Sequence, residues 1–133
     1  MATRSFIAKY DYLRDEYTAI YCHWDGYPSG VGATLRDHYN SIGQIDTLLS
    51  YGDISSLRED TNATKADSYQ VVQGDKDAVA VTFKYFSQMV EHYRRINCEY
   101  GYVWNQGLWE CYELDPQQID LYADHLTNEG INV

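Results

Sequence analysis

Four side chains with the capacity for chemistry lie close together near the start of the sequence: Cys22, His23, Asp25 and His38. A thiol paired with an imidazole is the basis of cysteine nucleophiles, and imidazoles combined with a carboxylate can bind zinc. Neighbouring side chains of a strand point to opposite faces, so Cys22 and His23 are poorly placed to act as nucleophile and base. His23, Asp25 and His38 can still converge, and they form the candidate catalytic or metal site.

The same stretch also has a purely structural interpretation, which the residue pattern favours. Residues 20–35 read IYCHWDGYPSGVGATL, with turn-forming residues at close intervals. Pro28 fixes its own φ and keeps residue 27 extended, and glycines permit positive φ or a close approach of backbones. We predict that six residues build a corner between a strand and a helix: Trp24, Gly26, Tyr27, Pro28, Gly30 and Gly32.

A glycine-rich loop that enters a helix can also bind an anion at the helix N-terminus. Residues 26–35 contain no Lys or Arg, and their spacing matches neither the dinucleotide-binding nor the P-loop pattern. The sequence therefore gives little support to a phosphate site.

Two aromatic-rich hairpins frame the chain. Residues 5–24 alternate around a polar link at 13–15, and residues 98–114 form two Tyr- and Trp-rich strands joined at Asn105-Gln106-Gly107. Helical spacing predicts two short helices between Gly32 and Tyr51 that break near Gly43, a helix over about 82–96, and a last helix from Asp115-Pro116 to Gly130. Residues 53–77 are predicted to be irregular, with one strand at 69–72.

These elements predict the fold class and the domain organisation. The expected class is α+β, with an antiparallel sheet built from the two hairpins (about 5–24 and 98–114) and helices packed on one side. A chain of 133 residues has the length of one domain, so a single domain is predicted over 1–133.

The charge of the chain restricts its partners. Twenty acidic residues against ten basic ones give a formal net charge of −10, and no Lys or Arg occurs from residue 96 to the end. Such a field repels nucleic acids and anionic membranes and attracts basic protein surfaces. Six acidic residues of this segment are the predicted partner-binding set: Glu99, Glu110, Glu113, Asp115, Asp120 and Asp124.

The remaining composition indicates where in the cell the protein is expected and what kind of surface it has. No long apolar segment and no signal-peptide pattern are evident, so we expect a cytoplasmic protein. Three cysteines without metal-binding spacing indicate neither a disulfide framework nor a zinc site, and no cofactor is predicted. Fourteen tyrosines combined with acidic charge are typical of an interface, which allows a homodimer without fixing its symmetry.

Part of the sequence resembles a known family. The segments that carry the resemblance are Met1-Ala2-Thr3-Arg4-Ser5, IYCHWDGYP at 20–28 with Gly30-Val31-Gly32, His38-Tyr39, and GDISSL at 52–57. They are similar to a family of small uncharacterised proteins found in bacteriophages and mobile elements. The resemblance covers roughly the first 57 residues and extends in part to the aromatic hairpin at 98–112, and it implies a phage accessory protein expressed in a bacterial host.

Two functions from different classes follow. The resemblance, together with the charge, implies a non-enzymatic inhibitor of anti-CRISPR or antirestriction type, whose acidic, Tyr-rich face occupies the basic surface of a host nuclease or CRISPR effector complex. The alternative is a small enzyme or a ligand- or metal-binding protein with its site at HWDGYPSGVG.

Overall fold

The computed structural model describes residues 2–114, in which five strands form one mixed sheet. The strands are β1 (Arg4–Asp11), β2 (Glu16–Cys22), β3 (Val81–Phe83), β4 (Cys98–Asn105) and β5 (Leu108–Glu113). Their order across the sheet is β3-β2-β1-β4-β5, so β1 is central and β3 and β5 are the two edges. The predicted α+β class and both predicted hairpins are confirmed.

Five α-helices and one π-helical turn accompany the sheet in the described residues. They are the π-helical turn Pro28–Gly32, α1 (Ala33–His38), α2 (Ile42–Ser50), α3 (Thr61–Lys65), α4 (Tyr69–Val72) and α5 (Phe86–Arg95). None of the helices found between residues 2 and 114 is long and apolar enough to cross a membrane.

The sheet is mixed, so the expectation of a purely antiparallel sheet is wrong. The two hairpins lie side by side because β1 pairs with β4, and this pairing is parallel. Parallel neighbours require a crossover connection, and the chain between β2 and β4 supplies one that contains all five helices. The hairpins therefore join through their first strands.

Helices cover both faces of the sheet rather than one. Ile7 and Ile20 pack with residues of α1 and α2, whereas Phe6 and Ala8 pack with α5 on the opposite face. The reason lies in β1, where the consecutive residues 5–8 are all buried. Adjacent strand residues point to opposite faces, so such a run requires apolar cover on each.

The connection between the hairpins differs from its prediction in three places. Residues 69–72 form the short helix α4 rather than a strand, and the Ser68 hydroxyl accepts a hydrogen bond from the Val71 N–H at 3.3 Å. The helix predicted from 82 begins at Phe86, since residues 81–83 pair with β2 as β3. The break predicted near Gly43 lies just before it, and the helix predicted over 115–130 falls outside the described residues.

Gly101 of β4 provides a test of how tightly the α5 face is packed. A Cβ at this position would overlap the ring of Phe6, which stacks on Tyr93 with ring centroids 4.8 Å apart. We expect Gly101→Ala to lower the free energy of unfolding by about 1–3 kcal/mol, because overpacking a filled core displaces side chains. Urea denaturation followed by circular dichroism measures this change.

Gly43 offers the matched control for the same substitution. It lies in α2, and a Cβ there would have nothing within 4 Å. Gly43→Ala should raise the stability by up to roughly 1 kcal/mol, since alanine is the better helix former. A Gly101→Ala protein as stable as the parent would contradict the packing described for Phe6.

Candidate functional site

The candidate site begins where β2 ends, and the backbone there is hydrogen-bonded to the segment at residues 54–55. The N–H groups of His23 and Trp24 donate to the carbonyls of Ile54 and Ser55 at 3.2 and 2.9 Å. Asp25 then adopts a positive φ of 58°, which turns the chain away from the sheet. The sequence Asp-Gly at this point tolerates the left-handed conformation better than branched residues would.

The glycines after this turn serve close backbone contacts. The Gly26 N–H donates to the Thr3 carbonyl at 2.8 Å, and a Cβ on Gly26 would come within 2.7 Å of the same oxygen. The N–H of Gly30 donates to the Tyr27 carbonyl at 2.9 Å, within the π-helical turn that opens at Pro28. The predicted corner between strand and helix is therefore formed by these residues.

Tyr102 of β4 holds the corner in place. Its hydroxyl donates to the Gly26 carbonyl at 2.7 Å, and its ring packs against Gly32. The tyrosine is buried, and burial raises its pKa well above the ordinary range. Nothing in the sequence marks this residue, because one tyrosine among many in an aromatic strand gives no sign of a specific partner.

The three candidate catalytic residues have different partners. His23 Nδ1 and the Tyr21 hydroxyl share a hydrogen bond of 2.8 Å, and the Asp25 carboxylate accepts one from the Tyr27 hydroxyl at 3.2 Å. His38 lies at the end of α1, with Nε2 3.9 Å from a Glu59 carboxylate oxygen. Between residues 2 and 114, no group of three or more His, Cys, Asp or Glu side chains is arranged to hold a metal ion.

Cys22 is placed as a core residue. Its side chain is fully buried, and its thiol donates to the Trp24 carbonyl at a sulfur–oxygen distance of 3.6 Å. Burial raises the pKa of this thiol to about 12, so it is protonated at neutral pH. A protonated thiol is a poor nucleophile, which argues against a cysteine-dependent reaction at this position.

The acidic candidates that fall within the described residues lie on the second hairpin. Glu99 lies in β4, where the register of its pairing with β1 shifts, and Glu110 and Glu113 lie on the edge strand β5. Glu110 accepts a hydrogen bond from the Tyr112 hydroxyl at 3.1 Å, and Glu113, three residues further along the strand, points to the opposite face. Asp115, Asp120 and Asp124 lie outside the described residues.

These three glutamates carry negative charge that no ion pair of the described residues neutralises. None of them forms an ion pair with another residue of the described part of the chain. Glu99 and Glu113 line a groove of about 480 Å³ together with Arg94, whose guanidinium is bound to Glu91 at 2.9 Å. The hairpin therefore presents net negative charge along its edge.

No protein-family model, no curated protein and no solved structure matches this chain.

The Tyr102 hydroxyl offers a direct test of the corner. Tyr102→Phe leaves the buried Gly26 carbonyl without its donor, and an unsatisfied buried acceptor costs about 1–3 kcal/mol of folding free energy. Urea denaturation should show this loss, whereas Tyr12→Phe, at a position that is 61% exposed, should leave stability unchanged. Equal stability of the two variants would show that the bond does not hold the corner.

Alkaline pH should destabilise the protein. Burial raises the pKa of Cys22 from 9.0 and that of Tyr21 from 10.0, each to about 12. The unfolded chain therefore releases these protons at lower pH than the folded protein does. The contribution of the two groups to the free energy of unfolding is fully present below pH 9 and declines as the pH rises toward 12. Denaturation midpoints measured from pH 7 upward follow this decline.

Cys22→Ala provides the control for the thiol, because it removes one of the titrating groups. It should lower stability at neutral pH, through the cavity left in the core, and reduce the further loss at alkaline pH. A parent protein whose midpoint stays constant into the alkaline range would contradict the burial of these groups.

Proposed function

We propose that this protein is a phage-encoded, non-enzymatic inhibitor of a bacterial nucleic-acid-processing defence complex, of anti-CRISPR or antirestriction type. In this proposal the acidic, Tyr-rich hairpin of β4 and β5 binds a basic surface of the host complex. The observation that supports it is a set of three carboxylates on the second hairpin that form no ion pair within residues 2–114: Glu99 of β4, and Glu110 and Glu113 of the edge strand β5.

Electrostatics gives the binding mode. A channel that holds DNA or RNA is lined with Lys and Arg, and carboxylates can take the positions that phosphates would occupy. Glu110 and Glu113 point to opposite faces of an edge strand, so a groove that closes around the edge would meet negative charge on both sides. The half-buried rings of Tyr100 and Tyr112 add contact area with polar tips.

The motif at 23–32 supports a non-catalytic protein. Its carbonyls, N–H groups and glycines are engaged in holding the corner, and the thiol beside it is buried and protonated. The resemblance to phage proteins supplies the proposed setting, the cytoplasm of an infected bacterium.

A second candidate function is a small-ligand or catalytic site at the same motif. The observation in its favour is the 2.8 Å hydrogen bond between Tyr21 and the half-buried His23, whose ring lies edge-on to the exposed Trp24. A hydrogen-bonded imidazole beside an exposed indole is a suitable place for a planar ligand. This candidate predicts that His23→Ala abolishes activity without unfolding the protein.

DNA cleavage by defence nucleases tests the first proposal. The purified protein is added to a guide-loaded CRISPR nuclease and to a restriction enzyme, and cleavage of plasmid DNA is measured. We expect inhibition, and Glu110→Lys with Glu113→Lys should weaken it at least tenfold, about 1.4 kcal/mol, because the reversed charges meet cations.

A double variant with the same change in net charge, made outside the second hairpin, controls for the effect of net charge alone. Glu59 and Asp77 are exposed and lie outside the second hairpin, so Glu59→Lys with Asp77→Lys alters the net charge by the same amount. This control should inhibit like the parent. If inhibition weakened equally in both double variants, the effect would come from net charge and not from the second hairpin. If inhibition were lost only in His23→Ala, the second candidate would be favoured.

A further inference from the structure

The pairing of β5 with β4 fixes which backbone groups of this edge strand face the sheet. Asn105 and Leu108 close the second hairpin across a two-residue turn with positive φ at both positions, so these two residues exchange hydrogen bonds. Hydrogen-bonded pairs then alternate along the two strands, and the Leu114 N–H, which donates to the Glu99 carbonyl at 2.8 Å, falls in the same series. The even-numbered residues of β5 therefore bond to β4.

The odd-numbered residues of β5 direct their N–H and C=O groups outward. These residues are Trp109, Cys111 and Glu113, and no further strand between residues 2 and 114 pairs with them. An edge with open main-chain groups can take up an extended segment of another protein, which main-chain hydrogen bonds hold and side-chain contacts select. With six residues, β5 has the ordinary length of a strand, so the edge is long enough for such pairing.

We propose that an extended, basic segment of the partner protein adds to the β5 edge as a further strand of the sheet. This inference rests on the proposed function and specifies how the partner is held. Glu110 and Glu113 are three residues apart on β5 and point to opposite faces. A neighbouring strand with Lys or Arg at positions i and i+3 places one cation beside each carboxylate, on the matching face.

The charge of the edge identifies a basic strand as its occupant. Charged side chains on an edge strand oppose pairing with strands of like charge and favour strands of opposite charge. Neither Glu110 nor Glu113 forms an ion pair within residues 2–114, so both carboxylates keep their charge for a basic neighbour. A second copy of β5 would bring only further glutamates, since the strand contains no Lys or Arg.

Amide hydrogen exchange of the full-length protein, followed residue by residue by NMR, tests the pairing. The probe is a seven-residue peptide of Thr and Val with lysines at its second and fifth positions. In the free protein the amides of Cys111 and Glu113 should exchange fast, whereas those of Glu110 and Tyr112 should exchange slowly because they bond to β4. Saturating peptide should slow exchange at Cys111 and Glu113 at least tenfold and change the even-numbered amides little.

A second peptide controls for charge. It has the same composition, with lysines at its third and fifth positions. Both lysines then lie on one face of a strand, so only one of them can meet a glutamate. Its affinity, measured by chemical-shift titration, should be roughly threefold lower, because it forms one cross-strand charge pair fewer. Equal affinity of the two peptides would contradict the i, i+3 pattern.

Cys111→Pro tests the outward N–H in the protein itself. Proline lacks this donor and is tolerated in an edge strand where the N–H faces solvent, whereas the matched variant Cys111→Thr keeps the donor in a residue that favours strands. Cys111→Pro should bind the first peptide at least tenfold more weakly than Cys111→Thr and should inhibit nuclease cleavage less. Circular dichroism checks that both variants fold. If Cys111→Pro does not fold, the exchange pattern of the parent protein decides alone.

Two exchange results would overturn strand addition. If the amides of Cys111 and Glu113 are already protected in the free protein, the edge is occupied by this chain or by a second copy. If the first peptide does not protect these amides at any concentration, the edge does not take up a basic strand. Inhibition of the nucleases without amide protection would leave the proposed function standing, and amide protection without inhibition would overturn only the proposed function.

Discussion

The burial of β1 on both of its faces is the constraint on which the rest of this structure depends. Four consecutive residues of the strand, from Ser5 to Ala8, are shielded from solvent. Such a strand needs apolar cover above and below, which α1 and α2 supply on one face and α5 on the other. Its backbone groups also need partners on both sides, since buried N–H and C=O groups must be hydrogen-bonded. The β2 and β4 strands fill these positions, and β4 does so in parallel.

The corner at residues 23–32 is an extension of this central arrangement. Its Gly26 is bonded to Thr3, next to the start of β1, and to Tyr102 on the parallel neighbour. Cys22, His23 and Asp25 therefore lie at or beside this corner, and each is hydrogen-bonded to a neighbouring residue rather than to another of the three. This arrangement moves the proposed function away from the motif and toward the edges of the sheet.

The two edges have opposite surface chemistry. At β5 the glutamates favour a basic partner, whereas beside β3 Lys84 is bound to the first hairpin and the apolar side chain of Val81 is partly exposed.

The two hairpins, the apolar stripe of α5 and the turn residues of the corner are predictable from the sequence, because each is a local pattern with a short period or a specific turn requirement. The parallel β1–β4 pairing, the three-residue strand β3 and the helical form of residues 69–72 depend on tertiary contacts and are visible only in the structure. Segments of three or four residues are too short to show a period, so their neighbours set their conformation. Tyr102 and Gly26 are 76 positions apart, and nothing in either local sequence records that their atoms meet.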